Sequence, residues 1–131
     1  MKLSYAEPGF IAELTWRSWP VLLTVEPFGQ SEEDAAKTYA AEVREWLNDE
    51  YDGIQDYLPQ IVSLKNSHWL EIDETEWTTA QMAESIVSVE AVYARRDEGI
   101  RGYHDVGDTF GDKALVLMFS PSYEFCGIQL L

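Results

Sequence analysis

The residues able to do chemistry are few and scattered. His68 and His104 lie far apart, with no His-Glu-x-x-His and no cysteine at zinc spacing. His104-Asp105 could act as an acid–base pair, but neighbours in a strand point to opposite faces. Asp105, Asp108 and Asp112 alternate with Gly107 and Gly111. That stretch lacks the Lys-Ser/Thr of a phosphate loop, and its carboxylates repel phosphate. It reads as a turn shaped by glycine and Asx chemistry. No Gly-x-Ser-x-Gly occurs. The single cysteine, Cys126, cannot form an intrachain disulfide and is expected as a small buried hydrophobe. The sequence therefore assigns no catalytic residue, no metal ligand and no cofactor, and the expectation is a non-enzyme. The enzymatic alternative is a divalent ion held by the Asp105, Asp108 and Asp112 loop beside His104.

Carboxylates are abundant. Glu71-Ile72-Asp73-Glu74-Thr75-Glu76 crowds four acids into one link. It is out of register for an EF-hand, which needs a central glycine and a closing glutamate. Trp69 and Trp77 flank it, and an aromatic beside a charged rim is the composition of an interface hot spot. Glu71, Asp73, Glu74, Glu76 and Trp77 thus form one candidate partner-binding region. The competing reading is a solvated loop between two core tryptophans. Over 31–60, only Lys37 and Arg44 oppose Glu32, Glu33, Asp34, Glu42, Glu45, Asp49, Glu50, Asp52 and Asp56. Glu42, Glu45, Asp49 and Asp52 form the second candidate region.

The whole chain carries a formal charge of −15. A field of that sign repels phosphate backbones and anionic membranes, so neither nucleic acid nor a membrane is an expected partner. It attracts and steers a basic protein, although acidity also serves solubility alone.

These residues need elements to hold them. Phe10, Ala12, Leu14 and Trp16 share one face at period 2, and Val21 to Glu26 forms a second strand. Ser31 is the expected N-cap of a helix with Glu32, Glu33 and Asp34 in its first turn. Ala36, Tyr39, Ala40, Val43, Trp46 and Leu47 make its apolar stripe. A second helix runs to about Trp69, starting or kinking at Pro59. Thr78 and Gln81 resemble a capping box opening a short third helix to about Ser85. Four strands follow: 86–94, 100–105, 114–119 and 124–131. The expected fold is α+β, a single domain over 1–131. It has an antiparallel sheet of about six strands in the order β-β-α-α-α-β-β-β-β, with helices on one face. The first residues lack a long apolar run, and no stretch approaches the ~20 residues of a spanning helix. The expected location is the cytoplasm.

Asn66-Ser67-His68-Trp69-Leu70, the acidic link, Trp77-Thr78-Thr79 and Ser85-Ile86 together resemble a family of uncharacterised bacterial domains of unknown function. The stretch from Tyr103 to Asp112 is similar to that family's second motif, with Asp112 where a histidine is common. Small acidic members of this kind resemble immunity proteins of toxin–immunity systems. The resemblance implies a toxin inhibitor that binds and neutralises a basic effector by protein contact. The alternative is a self-associating scaffold domain, a homodimer joined along a sheet edge.

Overall fold

The computed structural model describes residues 3–6, 9–16, 19–27, 33–49, 51, 53–86 and 88–131. The expected Ser31 cap, together with Glu32, Glu50 and Asp52, lies outside the described residues. The chain order is β1 (Ser4–Ala6), β2 (Gly9–Trp16), β3 (Trp19–Glu26), α1 (Glu33–Asp49), α2 (Gly53–His68), α3 (Thr79–Ser85), β4 (Ser88–Arg95), β5 (Gly99–Asp105), β6 (Leu115–Phe119) and β7 (Phe125–Leu130).

The α+β class is as the sequence predicts, but the sheet differs in two respects. It has seven strands, in the spatial order β1 to β7, because Ser4–Ala6 pairs antiparallel with β2. It is also mixed. Strand β3 runs parallel to β4, from Leu22 opposite Ala91 to Glu26 opposite Arg95, while every other joint is antiparallel. A parallel joint needs a long crossover, and the segment carrying the three helices supplies it.

The helices cover one face. Phe10, Ala12 and Trp16 of β2, Val21, Leu23 and Val25 of β3, and Leu115, Leu117 and Phe119 of β6 are buried beneath them. From α1 come the six residues of the expected stripe, Ala36 to Leu47, all buried. Trp16 donates its indole N–H to the Leu47 carbonyl (3.1 Å), tying the end of β2 to the end of α1. The opposite face leaves Glu13, Leu22, Arg101 and Gln129 exposed. Helix α2 passes through Pro59 rather than starting at it.

Cys126 departs from expectation. It is exposed. Phe119 pairs with Phe125 and Met118 with Gly127, so Cys126 is the extra residue of a β-bulge. A bulge leaves its extra residue unpaired, and here that residue points away from the core.

Candidate functional site

The 71–76 link is an ordered turn, built from the end of α2. Lys65 occupies a position on the apolar stripe of α2, four residues after Ile61, and is buried. A buried ammonium needs partners, and it has three. It donates to the Trp69 carbonyl (2.7 Å), pairs with the Glu74 carboxylate (3.0 Å) and lies 5.2 Å from the Trp77 ring centroid. Glu74 gathers the turn around itself. It accepts from the Glu71 backbone N–H (3.1 Å) and the Trp77 indole N–H (3.1 Å), and its own N–H reaches the Glu71 carbonyl (3.0 Å). The Glu71 N–H foremost, then the Trp77 indole and the Lys65 ammonium, hold the Glu74 carboxyl below its ordinary range. Asn66 closes the far side. Its amide donates to the Trp77 carbonyl (3.1 Å) and accepts from the Trp77 N–H (2.7 Å). The expected capping box follows at once, with Thr78 N–H to Gln81 (2.9 Å) and Gln81 N–H to Thr78 (3.2 Å).

At the tip stand Ile72 and Asp73. Asp73 adopts φ 68°, a left-handed conformation unusual for a residue with a Cβ. Ile72 is 94% exposed. Glu71, Asp73 and Glu76 are exposed around it. The structure thus gives the five residues of this region two roles. Glu74 and the half-buried Trp77 build the turn, and Glu71, Asp73 and Glu76 face solvent.

The second region divides similarly. Glu42 joins α1 to the β4–β5 turn and the β6–β7 turn. Arg96 donates to both of its oxygens (3.2 and 3.1 Å), and the Tyr123 hydroxyl donates to one (2.5 Å). Chiefly the Tyr123 hydroxyl, assisted by Arg96, lowers the Glu42 carboxyl against the opposing effect of burial. The same guanidinium lies 4.1 Å from the Tyr39 ring centroid. Burial raises the Tyr39 phenol to about 12. Burial, then the Glu42 carboxylate, raises Tyr123 as well. Glu45 and Asp49 are exposed farther along α1, and Asp52 lies outside the described residues.

The remaining candidates are placed as follows. His104 is buried, with the Tyr51 hydroxyl 2.5 Å from its Nε2. Asp105 points elsewhere and accepts from the Gly107 N–H (2.9 Å), an Asx turn. Gly107 and Gly111 take positive φ, and the Asp105–Asp112 segment is a run of turns. Among the described residues, no three His, Cys, Asp or Glu side chains gather as a metal site would need. No helix among them is long and apolar enough to cross a membrane.

Compared with family models, with curated proteins and with solved structures, the chain shows no significant match. The resemblance to small acidic bacterial domains therefore rests on the quoted segments alone.

Sequence reasoning missed Ile72 as the exposed apolar group, and missed Lys65, Arg96 and Tyr123 as the side chains that fix the two regions. For Lys65 a signal existed. A lysine in register with Leu58 and Ile61 on an apolar stripe requires a buried counter-charge. For Arg96 and Tyr123 none existed, because their partner Glu42 is remote in sequence.

Proposed function

We propose that this chain is an acidic protein-binding domain of the immunity type, which captures a basic protein partner and blocks it by contact. The single observation that carries this reading is the 71–76 turn. It presents a fully exposed isoleucine in one turn with the exposed carboxylates Glu71, Asp73 and Glu76, on a backbone held by Lys65, Asn66 and Glu74. An isolated exposed aliphatic residue is ordinary. A rigidly held one has already lost the conformational freedom that binding would otherwise cost. The division of labour is then physical. Glu71, Asp73 and Glu76, with Glu45 and Asp49 on α1, steer a basic surface and set the association rate. Ile72 fills a pocket on the partner and limits dissociation.

The test is recovery of a basic partner from source cells, followed by binding kinetics over a range of salt. Ile72→Ala should weaken the complex about thirty-fold, as loss of about 2 kcal/mol at a hot spot implies. Reversing Glu71, Asp73 and Glu76 to lysine should slow association and flatten its salt dependence. A complex indifferent to both changes would place the interface elsewhere.

A further inference from the structure

We propose that the open edge of β7, with the groove beside it, takes an extended, positively charged segment of the partner protein, which joins the sheet as an added strand. The sign of the segment's charge rests on the acidic-partner reading above. The strand addition rests on β7 itself.

The phase of the backbone decides which groups are offered. Ala114 and Leu131 exchange both of their hydrogen bonds (2.7 and 3.1 Å). Bonded and non-bonded pairs alternate along an antiparallel ladder. Val116 with Gln129, and Met118 with Gly127, are therefore the next bonded pairs in register. The N–H and C=O groups of Ile128 and Leu130 consequently point outward, where no strand among the described residues follows in the sheet order. Two residues of one edge, alternating in phase, are what an incoming strand needs.

Sheets protect such edges with short strands, charges, proline or bulges. The opposite edge, β1, is only three residues long. Strand β7 has six residues, Phe-Cys-Gly-Ile-Gln-Leu, without a charge or a proline. Its bulge lies at Cys126, before the outward-facing pair.

Beside this edge α2 and β7 leave a groove of about 390 Å³. Leu64, Phe125 and Ile128 give it an apolar wall, and Ser63, Ser67 and His68 a polar rim. Gly127 adds no side chain to fill it. An added strand directs alternate side chains to one face, so one apolar side chain of the segment enters the groove and the next on that face, two residues along, reaches the rim. Asp56 lies one turn before Gln60 on α2, Glu124 immediately precedes Phe125, and Glu71 follows the end of α2. All three are exposed. Lys65, the cation of α2, is buried against Glu74. Basic flanks on the segment match those acids. A second copy of this chain is itself a molecule of charge −15, and repulsion between two such molecules disfavours it as the occupant.

The experiment is amide-resolved NMR of the full chain titrated with the capped octapeptide Lys-Lys-Val-Thr-Val-Thr-Lys-Lys, whose basic flanks lie on both faces of the added strand. Ile128 and Leu130 amides should shift and exchange with solvent at least about tenfold more slowly, with Gly127 and Gln129 unchanged. Methylating every peptide nitrogen of the four central residues should abolish the effect, and the same peptide with Glu in place of each Lys should not produce it. Ile128→Pro, which removes one outward N–H, should lose the peptide. If that variant fails to fold, the methylated peptide supplies the same test. No protection at Ile128 and Leu130 would overturn the proposal. So would equal binding of the acidic peptide, or protection that appears with protein concentration alone, which would mark the edge as a homodimer contact. Protection at these amides alongside an Ile72→Ala variant of unchanged partner affinity would leave the groove standing and remove the turn.

Discussion

Asn66 makes both of its amide bonds to one residue, the Trp77 backbone. Removing it strands an N–H and a C=O in a part-buried site, so Asn66→Ala should cost about 2 kcal/mol in denaturant unfolding. The larger loss should appear in partner binding, because the turn then has to be ordered on contact. Glu42 and Glu74 make a second statement at this scale. Both carboxyls are held below the ordinary glutamate value of 4.5 by donors that exist only in the fold. A lowered folded value means stability that is complete above 4.5 and lost as pH falls below it through the folded values. Unfolding titrations should therefore show a decline beginning under the ordinary carboxylate range. That decline should be shallower in Glu42→Gln and Glu74→Gln, which have no such proton to bind. The acids themselves are legible in the sequence, but which of them are occupied is not. Glu74 and Glu71 look alike in a row of carboxylates. Only the approach of Lys65 and the Trp77 indole tells them apart.

The helices are legible as elements because a period of 3.6 survives in runs such as Ala36 to Leu47, and the last four strands because short apolar runs such as Leu115 to Phe119 stand between turn residues. The capping box of α3 is legible because Thr78 and Gln81 satisfy each other locally. Strand β1 is not. Three residues carry no measurable period, and their pairing with Phe10 and Ile11 is a tertiary event. The parallel joint is likewise hidden, since nothing in Val21 to Glu26 states which strand will lie beside it. The β5–β6 hairpin exposes a third kind of constraint. Gly99 has φ 119°, and a Cβ there would lie 2.1 Å from the Phe119 carbonyl oxygen. Neither the conformation nor the approach tolerates a side chain. Gly99→Ala should destabilise the fold by at least about 3 kcal/mol in chemical denaturation. Tyr123 meets a similar demand with a side chain. Its φ of 68° is sustained by ring contact with Trp46 at 5.1 Å and by its bond to Glu42.

Over the whole molecule, two antiparallel meanders stand side by side. Each is made of near neighbours in sequence, apart from the single seam where β3 meets β4. Arg96 extends the seam by donating its N–H to the Glu26 carbonyl (3.1 Å). The −15 charge is unevenly matched on this frame: Glu42 and Glu74 have cations beside them, as do Glu33, Asp97 and Glu98 at the surface, whereas no ion pair among the described residues reaches Glu71, Asp73 or Glu76 at the turn. The seam also carries a kinetic consequence. Hairpins close quickly because their loops are short, whereas joining Leu23 to Val92 must first overcome the closure entropy of the entire helical segment. The two meanders should form early and apart, and the rate of folding should be set by the moment they meet. Val25→Ala and Val92→Ala at the seam should slow refolding nearly in proportion to the stability they remove. Leu117→Ala lies within the second meander, which forms before the seam, so it should slow refolding by at least as large a share of the stability it removes. Stopped-flow refolding of the three variants measures these shares, and a clearly smaller share at Leu117 than at Val25 and Val92 would mean that the seam forms before the second meander is complete.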